Sequence, residues 1–209
     1  MKILMTNENK IIIVDYGLGN LMSLLYKFKK IGINATVSSN EKEIENAEKL
    51  ILPGVGHFAK GIENLKKYNL IPVLNRKVFE EKTPILGICL GMQLLTQRSE
   101  EGHVEGLGWI DAETKRFSLN GLKIPHMGWN TVEIKRENVL FKDIENPRFY
   151  FVHSYHVCCK DENDILATTN YGYDFASALN RENIYGVQFH PEKSHKSGIK
   201  LLKNFVEVV

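Results

Sequence analysis

The first hundred residues alternate between short apolar runs and segments whose apolar positions recur with helical spacing. The apolar runs are rich in β-branched side chains and predict strands at residues 11–15, 35–37, 49–52 and 84–89. Amphipathic or acidic segments between them predict helices at residues 21–31, 41–47, 57–66 and 70–82. Such alternation is typical of an α/β fold with a mostly parallel sheet, helices on both faces and ligands at the carboxyl ends of the strands.

From residue 107 onward the pattern changes. Short apolar runs separated by turns predict strands at residues 131–134, 148–152, 165–169, 175–179 and 184–189, before a final helix at residues 196–206. We therefore expect this half to extend the same sheet with antiparallel or mixed strands. Because no linker rich in proline, glycine or serine interrupts the chain, we predict a short N-terminal extension (residues 1–10) and a single domain (residues 11–209).

Composition narrows the choice of partners and of compartment. The 209 residues are 43% hydrophobic, which is enough for a real core. Lys and Arg total 27 against 25 for Asp and Glu, so no basic field indicates nucleic acid or a membrane surface. No signal peptide or bilayer-spanning run is apparent, and an odd number of cysteines, 3, suggests neither disulfides nor a paired metal site. We expect a cytoplasmic protein with small-molecule or protein partners.

A candidate nucleophile lies where the fourth predicted strand ends. Residues 87–91 read Gly-Ile-Cys-Leu-Gly, so that two glycines flank Cys89 just before a helix-forming segment. This is the pattern of a strand–turn–helix elbow, in which glycines relieve crowding and the nucleophile is exposed at the sheet's carboxyl end. A thiol at a helix N-terminus is favoured as the thiolate. The alternative is a buried structural cysteine, and this pattern alone leaves the two about equal.

The third predicted strand ends in a candidate oxyanion site. Gly54, Val55 and Gly56 follow it, and the two glycines allow backbone N–H groups to approach a ligand closely. A tight turn before the next helix is the simpler alternative, and the two interpretations are compatible.

The last predicted strand ends in a candidate base and its orienting acid. His190 is followed by Pro191 and Glu192, so in an extended segment the carboxylate could reach the imidazole edge that faces away from the sulfur. Taken alone, this pair is better explained as a solvated surface pair. Together with the cysteine elbow, it predicts a Cys89–His190–Glu192 triad with His190 as the acid and base.

These motifs resemble those of the class I, triad-type glutamine amidotransferases, and the resemblance covers nearly the whole chain from residue 11. Four further segments narrow it towards the glutaminase subunits of imidazole glycerol phosphate synthase: residues 16–20, 124–130, 150–155 and 186–194. The resemblance implies a single class I amidotransferase domain with a central, mostly parallel mixed sheet flanked by helices and an antiparallel extension in the C-terminal half.

The resemblance also implies the chemistry. Cys89 would attack the side-chain amide of L-glutamine, and the oxyanion would be held by the Leu90 N–H and an N–H from residues 54–56. His190 would protonate the leaving ammonia and then activate water. Gln93, Ser154 and Tyr155 match positions that bind the amino-acid end of the substrate in relatives, although Gln93 could instead be a polar residue on a helix surface.

The resemblance implies no cofactor or metal, and it implies that the partner is a (β/α)8 synthase subunit that would receive ammonia in a heterodimer. Trp129, Asn130, Tyr155 and Lys193 lie in segments that face this partner in the family, and exposed aromatics are frequent interface anchors. Each could instead be core packing or a solvated charge. The histidines at 126, 153 and 156 lack thiolate or carboxylate partners at ligand spacing, so we predict no metal.

Departures at residues 108–111 and 170–174 from the pattern of the histidine-pathway subunits leave alternatives open. The same glutaminase could feed a sugar amidotransferase in surface-polysaccharide or nonulosonic acid biosynthesis. The elbow could also belong to a cysteine hydrolase or peptidase, or to a catalytically silent regulatory subunit. Because no second catalytic domain is recognisable, we expect the acceptor chemistry on another polypeptide.

Overall fold

The computed structural model describes residues 10–209. The predicted extension of residues 1–10 therefore falls, except for Lys10, outside the described residues.

Parallel strands and the helices between them build the first half of the domain. The strands are β1 (Ile11–Val14), β2 (Ala35–Ser38), β3 (Lys49–Gly54) and β4 (Ile85–Cys89). The helices are α1 (Leu21–Lys30), α2 (Glu41–Glu45), α3 (Phe58–Lys67) and α4 (Ile71–Asn75), and α5 (Leu90–Leu94) follows β4 directly. These elements confirm the predicted alternation. The helix predicted at residues 70–82 is shorter than expected, because α4 gives way to a π-helical turn at Arg76–Glu80.

Shorter strands make up the second half. They are β5 (Arg98–Ser99), β6 (Val104–Glu105), β7 (Ala112–Arg116), β8 (His126–Thr131), β9 (Glu133–Ile134), β10 (Arg148–His153), β11 (Tyr155–Cys159), β12 (Ile165–Asn170), β13 (Asp174–Arg181) and β14 (Ile184–Val187), followed by α6 (His195–Glu207). The main sheet has the order β2-β1-β3-β4-β14-β13-β11-β7-β5-β6, with β12 on β13 and β9 on β12. Strand β14 runs parallel to β4, whereas β13 and β11 continue the sheet antiparallel.

Two predictions for this half were wrong. Strands β8 and β10 pair with each other as a separate two-stranded sheet, so residues 148–152 do not extend the main sheet. The strand predicted at residues 131–134 is split between the end of β8 and β9. Most of β8 was missed because its polarity is reversed: the polar His126 is buried, while Met127 and Trp129 are exposed. The sequence of β8 therefore lacks the alternation of buried apolar and exposed polar residues that predicts a strand.

The main sheet is covered on both faces. Ile11 and Ile13 of β1 belong to one buried cluster, and Ile12 and Val14 belong to the other. This division follows from the period of two along a strand, and it explains why the strand is continuously apolar. Among residues 10–209, no helix is long and apolar enough to cross a bilayer.

Candidate active site

Three neighbouring parallel strands, β3, β4 and β14, end at the same edge of the sheet. Gly54, the last residue of β3, lies opposite Cys89, the last residue of β4. On the other side of β4, Val187 of β14 lies opposite Ile88, so that the residues after β14 emerge beside the thiol. The sheet therefore brings together the cysteine, oxyanion and histidine segments from three distant parts of the chain.

Cys89 adopts the strained backbone expected of an elbow, with φ 55° and ψ −110°. The flanking glycines are required by close packing. A Cβ on Gly91 would lie 1.7 Å from the Leu52 carbonyl oxygen, and one on Gly87 would lie 2.8 Å from the backbone of Gly91. The helix that follows, α5, has only five residues, so its dipole near the thiol is smaller than the sequence suggested.

The His190 ring is oriented by a carboxylate. Its Nδ1 lies 2.8 Å from Glu192 Oε1, and both side chains are almost fully buried. A solvated surface pair was therefore the wrong alternative. The connection is a 3₁₀ turn at Pro191–Lys193 rather than the extended segment that we assumed, and it still returns the carboxylate to the imidazole edge.

The charges around His190 favour its protonated form. Burial works to lower the pKa of the imidazole, but the Cys89 sulfur and the Glu192 carboxylate outweigh it and raise the pKa to about 10. Among the described residues, His190 Nε2 has no hydrogen-bond partner within conventional geometry. The Cys89 sulfur still contributes to the raised pKa of the ring, and hydrogen bonds in catalytic sites are often poorly aligned before substrate binds.

A cavity of about 260 Å³ opens in front of the thiol. Besides Cys89, its wall contains most of the residues predicted for substrate and oxyanion binding: Val55, Gly56, Leu90, Gln93, Ser154 and Tyr155. Gly54 is different, because it lies buried beneath the cavity wall. A Cβ there would lie 2.4 Å from the Tyr16 hydroxyl, which donates a 2.6 Å hydrogen bond to the Pro53 carbonyl.

Gln93 is buried in the cavity wall rather than placed on a helix surface. Its side-chain nitrogen donates to the Tyr155 carbonyl and to Gln188 Oε1, both at 3.0 Å. We expected Gln93 to bind the amino-acid end of the substrate, and its side-chain nitrogen is already engaged within the protein.

Glu101 is a cavity residue that the sequence did not reveal. Its Oε2 accepts a 2.8 Å hydrogen bond from the backbone N–H of Phe58, at the start of α3. Among the described residues that line the cavity, it is the one that carries a carboxylate. It follows the short strand β5 in a polar stretch without periodicity, so no sequence signal pointed to it.

The residues predicted to face a partner do not all lie together. Trp129 is 38% exposed and stacks on His195 at 5.0 Å, so core packing was the wrong alternative for it. Lys193 is exposed and lies over the Tyr150 ring, 5.7 Å from its centre. Trp129 also contacts Tyr150 edge-on, with 6.2 Å between ring centres. Tyr150, which we had not predicted, completes this cluster, whereas Tyr155 lines the cavity.

Asn130 connects the same strand to a buried pair of histidines. Its side-chain nitrogen lies 2.9 Å from the Asn170 carbonyl and 3.3 Å from His126 Nε2. His126 Nδ1 in turn lies 3.0 Å from His153 Nε2, and His153 Nδ1 donates to the Tyr155 carbonyl at 2.7 Å. Burial lowers the pKa of His126 to about 4 and that of His153 to about 3, so both rings are neutral.

The comparisons with known proteins agree with this geometry. Residues 12–209 match the family described as glutamine amidotransferase class-I. An imidazole glycerol phosphate synthase subunit HisH 2 from Methanococcus maripaludis is 56% identical, over 94% of this chain and 98% of the relative. A subunit of the same name from Pseudomonas aeruginosa is 50% identical, over 95% of this chain and 100% of the relative.

Solved structures show the same fold at low identity. One described as a glutamine amidotransferase superposes with a TM-score of 0.74 at 19% identity, over 94% of this chain and 97% of that one. A chain of PurLQS from Thermotoga maritima gives 0.73 at 17% identity, over 95% of this chain and 97% of that one. The family match and the relatives together show that this chain belongs to the class-I glutamine amidotransferases.

Proposed function

We propose that the chain is the glutaminase subunit of imidazole glycerol phosphate synthase. It hydrolyses L-glutamine to glutamate and passes the ammonia to a (β/α)8 cyclase subunit of the HisF type. The cyclase converts PRFAR to imidazole glycerol phosphate and AICAR in histidine biosynthesis. The observation that carries the catalytic part is the buried His190–Glu192 pair facing Cys89 at the carboxyl ends of β14 and β4. The histidine pathway is supported by the names and the 50–56% identity of the relatives.

The first half-reaction uses the Cys89 thiolate as nucleophile and His190 as an imidazolium, and the raised pKa of His190 favours this form of the ring. The Cys89 sulfur attacks the side-chain carbonyl carbon of glutamine and forms a tetrahedral oxyanion. His190 Nε2 then gives its proton to the amide nitrogen, the C–N bond breaks and ammonia leaves. Glu192 holds Nδ1–H throughout, which keeps the ring in the tautomer that this step needs.

The second half-reaction uses the same ring as a base. Neutral His190 takes a proton from water, and the oxygen attacks the γ-glutamyl thioester. The C–S bond breaks, and glutamate and the Cys89 thiolate are released. In both steps the oxyanion accepts hydrogen bonds from the Leu90 N–H and from an N–H of residues 54–56. The backbone of this second segment is held in place by close packing at Gly54 and by the hydrogen bond from the Tyr16 hydroxyl to the Pro53 carbonyl.

The far end of the cavity suits the charged end of an amino acid. The Glu101 carboxylate would pair with the α-ammonium group of glutamine, since the other described residues of the wall offer no negative side chain. Ser154 and Tyr155 contribute backbone groups on the opposite side. Gln93 acts through Tyr155 and Gln188, because its side-chain nitrogen already binds them.

The partner surface is centred on the cluster of Trp129, Tyr150 and Lys193, and it extends to the predicted residues Asn130 and Tyr155. Exposed aromatic rings beside a cation are typical of the energetic centre of an interface. We place the complex in the cytoplasm, where the three free cysteines, Cys89, Cys158 and Cys159, would stay reduced.

The proposal is tested by purifying the chain with the cyclase barrel. We expect glutamine turnover to rise when the barrel and its ligand are added, with formation of imidazole glycerol phosphate. Cys89→Ala should lower glutamine-dependent synthesis at least ~10³-fold and leave ammonium-dependent synthesis intact. Cys158→Ala is the matched control and should leave both unchanged.

Three outcomes would count against this assignment. Full glutamine-dependent synthesis by Cys89→Ala would overturn the glutaminase role. Stimulation by a sugar amidotransferase, without any response to the barrel, would keep the glutaminase and overturn the histidine pathway. Peptide cleavage without glutamine turnover would indicate a peptidase instead.

A further inference from the structure

Gln188 lies against the nucleophile, and the mechanism above gives it no contact with a reacting atom. Gln188 follows β14, two residues before His190, and its side chain is fully buried. Its Nε2 lies 3.6 Å from the Cys89 sulfur. Its backbone N–H donates to the Ser177 carbonyl at 2.9 Å, so the main chain at this position is anchored to the neighbouring strand.

The neighbours of Gln188 determine which end of its amide faces the sulfur. The Tyr155 carbonyl can only accept a hydrogen bond, so the Gln93 atom at 3.0 Å from it must be the nitrogen. The same nitrogen lies 3.0 Å from the Gln188 amide, which must therefore present its oxygen. The nitrogen of Gln188 is left facing Cys89.

The other hydrogen-bond contact of the sulfur has the opposite character. The Val152 carbonyl lies 4.0 Å from Cys89 Sγ, and a carbonyl can only accept from a protonated thiol. Gln188, by contrast, can only donate to the sulfur in this orientation. A hydrogen bond donated to an ionised group is stronger than one between neutral groups. Between these two contacts, the amide of Gln188 is the one that selects the thiolate.

We propose that Gln188 is a further catalytic residue, whose side-chain N–H donates to the Cys89 thiolate and holds it in position to attack glutamine. Gln93 and the Tyr155 carbonyl are positioning groups that orient this amide. The inference rests on the proposed function in one respect, namely that Cys89 is the nucleophile.

Two variants of the chain distinguish the loss of the Gln188 hydrogen-bond donor from a change in side-chain packing. Gln188→Glu keeps the shape and can still accept from Gln93, but it cannot donate when ionised. Gln188→Met keeps the volume and removes both polar atoms, so it protects the fold of a buried site. Gln97→Glu makes the same chemical change on the exposed surface and is the matched control.

The measurement is the rate at which iodoacetamide alkylates Cys89, followed by mass spectrometry of its peptide from pH 5 to pH 10. Folding of each variant is checked by its thermal melting curve. We expect the pH–rate profile of both Gln188 variants to move to higher pH by about one unit, because a hydrogen bond to a charged group contributes about tenfold to 100-fold. The control should overlay the wild type. The kcat/KM for glutamine should fall about tenfold to 100-fold, mostly through kcat.

A pH–rate profile that stays in place in both folded Gln188 variants would overturn the inference. That result is distinct from failure of the proposed function, which Cys89→Ala reports through glutamine turnover alone. The alkylation profile describes the environment of the sulfur whether or not glutamine is the substrate.

Discussion

A cysteine and a histidine lie side by side at two places in the molecule, Cys89 with His190 and Cys158 with His156. In the second pair the sulfur lies 3.6 Å from His156 Nδ1, whereas His190 Nε2 has no hydrogen-bond partner of conventional geometry among the described residues. Proximity alone therefore does not distinguish a candidate nucleophile from a structural cysteine.

The two pairs differ in what lies behind the imidazole. His190 has the Glu192 carboxylate on its far nitrogen, whereas His156 has the Tyr173 hydroxyl at 2.9 Å. Burial lowers the pKa of His156 and raises the pKa of the Cys158 thiol, so this pair stays neutral. A carboxylate behind the ring reverses the effect of burial at His190, whose pKa is raised.

The backbone differs as well. Cys158 lies in the regular strand β11, opposite Glu113 of β7, and it does not line the cavity in front of Cys89. Cys89 is held at positive φ between two glycines, with a cavity before the sulfur. The comparison teaches that elbow, cavity and carboxylate must occur together before a cysteine–histidine contact indicates catalysis.

Removal of the Glu192 carboxylate should make the Cys89–His190 pair resemble the Cys158–His156 pair. We expect it to have the largest effect on kcat. Glu192→Gln keeps the shape but loses the charge that favours the imidazolium. We expect kcat for glutamine to fall about 10³ to 10⁴-fold, as for the loss of the orienting acid in other triads. Tyr173→Phe, which removes the group behind His156, should leave kcat within about twofold of the wild type. Steady-state glutaminase assays with the partner present compare the two, and equal losses would contradict the distinction.

The pH dependence of the unfolding free energy should also distinguish His190 from buried histidines that have no carboxylate partner, and this effect should be smaller. A buried histidine with a lowered pKa contributes stability that is complete above the unfolded value of about 6.5 and is lost as the pH falls. His126 and His153, with pKa values of about 4 and 3, should each remove about 1 to 2 kcal/mol between pH 7 and pH 5. His190 has the opposite sign, because its stability is complete below about pH 6.5 and is lost towards its folded pKa of about 10.

Urea unfolding at several pH values measures this contrast. His126→Gln should reduce the loss of unfolding free energy between pH 7 and pH 5, while His190→Gln should reduce the loss on the alkaline side. If both variants flattened the same side of the profile, the assignment of neutral and charged rings would be wrong.

The parallel half and the triad were largely predictable from sequence. Strands β1, β3 and β4 are continuously apolar because both faces of the sheet are covered, and this leaves a clear signal. A Cβ at Gly87 or Gly91 would lie less than 3 Å from backbone atoms, so only glycine fits at these two positions. The elbow can therefore be recognised from the residue types alone. The site residues near Cys89 could then be placed by strand order alone.

Other parts of the site left no local pattern. Strand β8 buries a histidine and exposes Met127 and Trp129, so its polarity misled the strand prediction. Glu101 reaches the cavity through a tertiary contact with α3 that no spacing records. Tyr150 joins Trp129 and Lys193 through tertiary contacts that no sequence pattern records.

The covalent intermediate is the most direct test of the account. The complete complex would be mixed with isotope-labelled glutamine, quenched in acid within a turnover, and its cysteine-containing peptides analysed by mass spectrometry. We predict a γ-glutamyl thioester on the peptide of Cys89, which accumulates further in a variant slowed in hydrolysis, and none on the peptide of Cys158 and Cys159. Label on that second peptide, or glutamine turnover with no label on Cys89, would contradict it.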